Sequence, residues 1–399
     1  MQVRVYATKY PGHGRRLAEK AARGGADLIG AIGGDGTLNE VVDGVMRAGV
    51  YGPDGLPKAT ITILPLGTAS DFHRSMAWEP NDFEEAMWRI GKRGSSAVLD
   101  VAQVRCASPD GPKERYFINV ASCGVSARAA MKVHSWQWLG QKAAYRMAAL
   151  TALMSHVPRN LAVRVDGGEW KKIPAATLVA IGNGSYFGNG LNICPNANPY
   201  DGSLQVVTAQ KMRVWDFIFS RHRLKMGKHL DMKGVGSEEG RQVDVAIWDG
   251  KSKGPKDKNT WEVLEGYGSD SSPGGTTPES GSFTTTTTNT NTITMNGVQQ
   301  PSQQQQQQQQ QQVLPPEKIP SREWSGSERS NSTFSSFPRS PSGGSRDDLL
   351  RSPSKRAAER EARHKPSDYG AMPVEVDGEV IGYAPFSVTI IPGAIKFRV

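Results

Sequence analysis

The stretch Asp27-Leu28-Ile29-Gly30-Ala31-Ile32-Gly33-Gly34-Asp35-Gly36-Thr37-Leu38-Asn39-Glu40 decides the fold: an apolar run of strand length ends in a glycine pair and passes directly into a helical pattern. A strand is expected over 27–32 and a helix over 38–48. Between them, the backbone N–H groups of Gly33, Gly34, Gly36 and Thr37 can converge on phosphate oxygens at a positive helix end, and glycine permits the close approach. Asp35 would repel phosphate, so its natural role is to hold a magnesium ion or its waters beside a nucleotide. A bare glycine pair reads as a tight strand-to-helix turn; with Asp-Gly-Thr attached, phosphate binding is the stronger reading.

Upstream, residues 2–7 read as a strand, Pro11-Gly12-His13-Gly14 as a turn and 15–23 as a helix. Downstream, a strand over 60–64 enters a second loop, Leu64-Pro65-Leu66-Gly67-Thr68-Ala69-Ser70-Asp71-Phe72, and a helix follows over 83–90. Gly67 allows close approach, Thr68 and Ser70 offer hydroxyls and Asp71 adds a carboxylate; alone, a Ser-Asp pair often just caps a helix. Two strand-loop-helix units in series predict a parallel sheet with ligand loops at its carboxyl edge. After residue 95, strands dominate: 97–104, 115–120, 161–165, 176–181, 203–207 and 243–248. A helix over 140–156 interrupts them, with Ala144, Met147, Leu150 and Met154 on one face, read as core packing.

The 399 residues are 37% hydrophobic with a mean hydropathy of -0.49, low for a uniformly folded chain. The deficit is local. Residues 251–368 are Ser, Thr, Gln, Gly, Pro and scattered charge, with a threonine tract at 284–288 and a glutamine tract at 303–312, so a disordered insert is expected there. Within it, 355–365 reads as a solvated charge run or a short basic helix. Strand-like alternation resumes at 374–376 and 387–391. A formal charge of +9 suits an anionic partner without choosing among nucleotide, acidic membrane and nucleic acid. Cys106, Cys123 and Cys194 lack metal or disulfide spacing, which fits a reducing compartment. No apolar run approaches the roughly 20 residues of a membrane span, so any membrane role is expected to be peripheral.

With both loops in view, the sequence resembles the diacylglycerol kinase catalytic-domain family of lipid kinases. Gly33-Gly34-Asp35-Gly36-Thr37-Leu38-Asn39-Glu40 and Leu64 to Phe72 carry the likeness, although Thr68-Ala69-Ser70-Asp71 stands where Thr-Asn-Asp is commonest. Gly182-Asn183-Gly184-Ser185-Tyr186-Phe187-Gly188-Asn189-Gly190 and Asp377-Gly378-Glu379-Val380-Ile381-Gly382-Tyr383 make it most similar to the sphingoid long-chain-base and bacterial-type branch. The resemblance implies a Rossmann-like nucleotide domain of the phosphofructokinase and NAD-kinase type (1–95), then a β-sandwich on the lipid side (96–250 with 369–399). It implies ATP and Mg2+ as cofactors, a membrane lipid as substrate, a peripheral membrane surface as partner and no nucleic acid; it leaves oligomeric state open. A cytoplasmic, peripherally membrane-associated location is expected, or an organelle if the amino terminus is truncated.

By the same resemblance Glu379 is the general base that draws the proton from a lipid hydroxyl, with a turn carboxylate as the plainer alternative. Asp35 and Asp71 organise metal and phosphates, and Asp100 joins the magnesium and water network or is only a strand-end charge. Asp201 matches a structural-metal loop whose preceding aspartate is here Tyr200, which puts that metal in doubt. Thr8 and His13 match a segment near the nucleotide, where His13 equally reads as a turn cap. Asn119 and Gly124 match the start of the lipid side, with a buried asparagine serving backbone groups as the alternative. Two departures stand out. Relatives begin with an earlier strand and an Asn-Pro loop, so this chain is either truncated or impaired in nucleotide binding. Arg128 follows Gly124-Val125-Ser126-Ala127 where animal-type sphingosine kinases carry an aspartate, and a cation there would repel a sphingoid ammonium. Three readings follow: an ATP-dependent lipid kinase acting on a long-chain base, ceramide or diacylglycerol; a nucleotide- or lipid-binding module without catalysis; and, least favoured, an NAD kinase. The basic, partly apolar stretch 215–225 reads as a membrane-docking element or an ordinary amphipathic helix.

Overall fold

The computed structural model describes residues 3–67, 69–79, 82–91, 96–139, 141–212, 214–248 and 372–399. They fall in one compact unit spanning 1–273 and 351–399. Thr68, the insert expected over 251–368 and its basic segment lie outside the described residues.

The first half consists of α1 (His13–Arg23), β1 (Leu28–Gly33), α2 (Asp35–Ala48), β2 (Thr60–Pro65), α3 (Asp71–Ser75) and α4 (Phe83–Gly91). β1 and β2 run parallel with Leu28 opposite Thr60 and Gly33 opposite Pro65, so both glycine loops leave the same carboxyl edge. α2 begins at Asp35, earlier than the apolar periodicity indicates, because the Thr37 and Leu38 N–H groups both donate to the Gly34 carbonyl. Its buried Leu38, Val41, Val42 and Val45 recur at helical spacing and join Ile61, Ile63 and Phe72 in one core. At Gly44 the helices α1 and α2 touch: a Cβ there would stand 2.9 Å from the Ala18 methyl.

The strand expected over 2–7 does not form. Residues 3–9 lie outside any strand, and Val3, Val5 and Tyr6 are exposed. Apolar alternation defines a face, but a strand exists only against a partner edge, and among the described residues β1 pairs with β2 alone.

The second half adds β3 (Ser96–Ala107), β4 (Lys113–Phe117), β5 (Val120–Gly124), α5 (Val125–Val133), a 3-10 turn (His134–Leu139), α6 (Gln141–Met154), β6 (Arg159–Val165), β7 (Lys171–Gly182), β8 (Tyr186–Phe187), β9 (Leu191–Asn192), β10 (Leu204–Gln210), α7 (Val214–Lys225), β11 (Val235–Gly240), β12 (Gln242–Ile247), β13 (Pro373–Val376) and β14 (Glu379–Arg398). Hydrogen-bonded pairing runs β14–β12–β6–β7–β5–β13 and returns to β14. The sandwich-like layers are therefore joined at both edges, so each strand of the ring is paired on both sides, while β4 and β11 pair on one side, with β3 and β10. Cys123, Val163, Val179, Val245, Val374 and Phe386 fill the interior of the ring. Alternation sends Ser122 and Glu375 to its outer face.

The single strand expected over 115–120 is divided into β4 and β5. The one expected over 387–391 is part of a twenty-residue strand, β14. Its far end enters the first half: Phe397 lies opposite Ile61, and Ile395 and Phe397 share the first core with Leu99 and Val101 of β3. The buried stripe of α6 is Ala144, Ala148 and Ala152 with Leu153, whereas Met154 is 70% exposed. Alanines let α6 approach α5, whose Ala127 and Ala129 are also buried, and this small-residue contact displaces the expected methionine-rich one.

Candidate active site

The two glycine loops meet backbone to backbone. The Leu66 N–H donates to the Gly33 carbonyl at 3.0 Å. A Cβ on Gly34 would lie 3.1 Å from the Gly67 Cα, and one on Gly67 would strike the Gly34 backbone. Only glycine at both positions gives this separation. At Gly36 an added Cβ would meet nothing within 4 Å, so the first turn of α2, where the Asp35 and Gly36 N–H groups precede the first helical hydrogen bond and the Thr37 N–H is taken by the Gly34 carbonyl, opens towards free space.

Asp35 locks the loops together. Its carboxylate accepts the Asp71 N–H at 3.0 Å and the Phe72 N–H at 2.9 Å, capping α3 from another element. Ser70, just before α3, is buried in the left-handed region at φ 50°, a conformation that favours asparagine or glycine. Asp71 in turn accepts the Asn189 and Gly190 N–H groups at 3.0 and 2.7 Å, which ties the 182–190 glycine segment to the loops. Burial, then the neighbouring Asp35 charge, pushes Asp71 up to about 6.

The Asp-Gly-Glu turn lies against α2. Asp377 is held by the Val120 N–H at 2.8 Å and by Asn39 Nδ2 at 2.9 Å. Burial pushes it up to about 7, and the Asp35 charge adds to the effect. Glu379 is the accessible member of the pair: its side chain is 45% exposed and bridged to Arg115, with Nη1 2.5 Å from Oε2. Arg115, on β4, and Asn39 were not singled out in the sequence; their partners lie 264 and 338 residues away, and no local pattern reports such pairings. For Asp377 the Asp-Gly-Glu motif was the available signal.

The four aspartates expected around metal do not gather in one place, and among the described residues no group of three or more His, Cys, Asp or Glu is arranged to hold an ion. Asp35 and Asp71 are neighbours. Asp100 instead accepts the Gly202 N–H at 2.7 Å and the Gly393 N–H at 2.6 Å, pinning the 199–202 loop to β14, and burial raises its pKa. Asp201 accepts the Ser203 N–H. Thr8 sits in the exposed segment 3–9, and the segment is tied to α2 at Gly12, whose N–H donates to Glu40 at 2.6 Å. His13 accepts the Lys9 N–H and stacks on Tyr10, the turn-capping alternative. Asn119 serves Tyr186 O and Ser75 Oγ, and at Gly124, φ 107°, a Cβ would strike the Thr177 carbonyl. Arg128 lies on α5, its Nε buried without a hydrogen-bond partner.

On the outer face of the ring is an apolar cavity of about 50 Å³ lined by Val125, Leu153, Leu178, Val207, Leu224 and His229, among others. His229 Nε2 lies 3.0 Å from the Ile193 carbonyl, so that nitrogen carries the proton. Its Nδ1 is a buried acceptor without a partner.

Residues 1–104 match the diacylglycerol kinase catalytic domain, and residues 119–259 match the YegS C-terminal NAD kinase beta sandwich-like domain. The chain is 30% identical over 207 residues to the lipid kinase YegS of Escherichia coli (strain K12), covering 52% of this chain and 64% of that one. Its counterpart from Shigella flexneri is 31% identical over 211 residues with the same coverage. The chain thus spans 64% of the length of these curated relatives. A solved structure from Bacillus anthracis str. Sterne, assigned as a diacylglycerol kinase, aligns at a TM-score of 0.53 and 16% identity over 98% of this chain and 82% of that one; it shows a shared fold.

Proposed function

This chain belongs to the diacylglycerol kinase catalytic-domain family, and from that premise we propose that it is a lipid kinase that transfers the γ-phosphate of Mg-ATP to a lipid hydroxyl. The observation that carries the reading is the contact of Gly34 with Gly67, because it merges two phosphate-sized glycine loops into one cradle beside the open first turn of α2. Asp35 and Asp71 would hold a magnesium ion: each of their oxygens accepts one backbone N–H and keeps a lone pair for the ion, burial and then the Asp35 charge raise the Asp71 pKa, and one or two carboxylates suffice when phosphates and water complete the octahedron. Bound there, the ion would neutralise phosphate charge. The protein's own groups supply the rest. Backbone N–H groups orient the γ-phosphate, Glu379 takes the proton from the lipid hydroxyl as its oxygen attacks phosphorus, and Arg115 holds the Glu379 carboxylate in place.

The apolar cavity on the ring's outer face has room for no more than a few methylene groups of an alkyl chain, and the helix above it supports peripheral membrane contact. Leu224 of α7 lines the cavity, while Trp215 and Phe219, 65% and 79% exposed, stack outwards beside exposed Arg221, Arg223 and Lys225. Replacing Trp215 and Phe219 with serine should reduce sedimentation with anionic vesicles by about ten-fold; unchanged sedimentation removes that role for α7. Turnover is tested with the full chain, γ-labelled ATP and a lipid panel: wild type should yield labelled lipid phosphate and Glu379→Gln roughly 10³-fold less, with ATP affinity retained. ATP binding without transfer to any lipid would overturn the kinase reading. It would favour a binding module.

A further inference from the structure

Ser75 closes the five-residue helix α3, and its hydroxyl joins three elements. Ser185 and Tyr186 donate their N–H groups to its Oγ at 3.0 and 3.3 Å. The hydroxyl has one proton to give, and Asn119 Oδ1 at 3.1 Å and the Asp71 carbonyl at 3.2 Å both stand within its reach. A serine oxygen offers one donor and two acceptor positions, so its whole capacity is used. The hairpin side of the joint is shaped to match: a Cβ on Gly184 would strike Asn119 Oδ1 and stand 2.9 Å from Ser75 Oγ.

The same short helix holds the β8–β9 hairpin a second time. Asp71 and Ser75 are four residues apart and so share one face of α3. Ser75 takes the root of the hairpin, at 185 and 186, while the two Asp71 carboxylate oxygens take its tip through the Asn189 and Gly190 N–H groups. The tip is left-handed backbone throughout, with φ of 69°, 65° and 83° at Gly188, Asn189 and Gly190. On the far side, Phe187 and Leu191 pack on the cluster of Ile193, Val207 and Leu224. The tip therefore meets Asp71 from a position that Ser75 and this cluster set. Groups that orient a metal ligand from behind matter nearly as much as the ligand, and losing one typically costs about 10–100-fold in metal affinity.

We propose that Ser75 is a positioning residue for the metal: by holding the hairpin root it places the Asn189 and Gly190 N–H groups, and through them the Asp71 carboxylate, in the geometry in which Asp71 and Asp35 take a divalent cation together with nucleotide phosphates. The inference rests on the lipid-kinase reading of that aspartate pair. In Ser75→Ala the Ser185 and Tyr186 N–H groups lose their acceptor, the hairpin moves to satisfy them elsewhere, and Asp71 follows its tip. A serine that served the fold alone would affect nucleotide binding equally with and without metal. A positioning serine makes the loss depend on the metal.

The test measures binding of the non-hydrolysable analogue AMP-PNP to the full chain by calorimetry, across a Mg2+ titration and in EDTA. Wild type should bind more tightly as Mg2+ rises. Ser75→Ala should need about ten-fold more Mg2+ for half of that gain, with its affinity in EDTA unchanged, and Ser75→Thr, which keeps the hydroxyl, should restore the wild-type requirement. In turnover with γ-labelled ATP the same variant should show a raised Mg2+ requirement and an unchanged KM for lipid. A thermal melt checks folding; if Ser75→Ala does not fold, Ser75→Cys, whose thiol is a weak acceptor, is held to the same measure. An unchanged Mg2+ requirement, an equal loss of affinity with and without Mg2+, or a Ser75→Thr variant no better than Ser75→Ala would overturn the proposal. A wild type whose nucleotide binding ignores Mg2+ fails the metal assignment itself, and the inference falls with it. A chain that binds Mg-AMP-PNP and phosphorylates no lipid fails the kinase reading separately, and the Mg2+ titration still decides the role of Ser75.

Discussion

The glycine-loop junction and the outer face of the ring treat buried polar groups in opposite ways. At the junction, Asp35 and Asp71 each accept two backbone N–H groups from a different element, and Asp100 does the same on β3. Charge there is part of the architecture. On the outer face, Glu375 Oε2 and His229 Nδ1 are buried acceptors with no donor, beside an apolar cavity. The first arrangement positions loops; the second leaves acceptors unpaired at a cost to stability of about 1–3 kcal/mol each. Asp377 lies between them, tied to α2 through Asn39 and to β5 through Val120.

That boundary carries the largest expected effect on stability. The folded pKa of Asp377, pushed up to about 7 by burial, stands above its ordinary value of 3.8, so the fold holds a proton that the unfolded chain has already released. Stability from this group is therefore full below about pH 4, is lost as pH rises through 7 and is flat above. The difference corresponds to roughly 4 kcal/mol as an upper figure. Denaturant midpoints should fall between about pH 4 and 7 and level off above, and Asp377→Asn should remove the Asp377 share of the decline, leaving that of Asp71 and Glu375, which burial also raises. Equal slopes in the two proteins would place the titrating group elsewhere.

A second perturbation attacks the junction alone. Gly67→Ala puts a methyl group into the Gly34 backbone, and the loops can separate only by moving the phosphate cradle. A displacement near 1 Å in a positioning element costs about 10²-fold in rate, so phosphate transfer should fall by that order while lipid binding in the cavity is retained. Loss of both in equal measure would mean that the two regions are less separable than their hydrogen bonding indicates.

Local chemistry made the junction readable in the sequence. A strand-length apolar run, a glycine loop and a helix recur within 27–91, and each step has a short-range physical cause. Closure of the ring had none, because it depends on β13 meeting β5 and on β12 meeting β14, strands far apart in the sequence. Helix α5 was missed because Val-Ser-Ala-Arg-Ala-Ala-Met-Lys-Val carries alanines where a hydrophobic stripe would announce a helix. The strand expected over 2–7 failed for the opposite reason, having the pattern without the partner. The loops were legible as phosphate sites, but the role of Asp35 as a cap on α3, the Arg115–Glu379 bridge and the outward Glu375 are tertiary facts.

The smallest expected effect separates strain from function within the junction. Ser70 holds φ 50° and ψ 44° while 2% exposed, and the residue makes a further interaction of its own. A non-glycine residue in the left-handed region carries a conformational cost of about 1 kcal/mol, and asparagine tolerates that region better than serine. Ser70→Asn should therefore gain up to about 1 kcal/mol in denaturant unfolding if backbone strain dominates. If the serine hydroxyl is the stronger contributor, the variant loses stability by a similar amount, and the strained turn is then held by the side chain it carries. Either outcome is informative only with transfer measured in parallel: a stabilised variant with unchanged kcat marks the strain as incidental, and a stabilised variant with reduced kcat marks it as part of how the cradle holds phosphate.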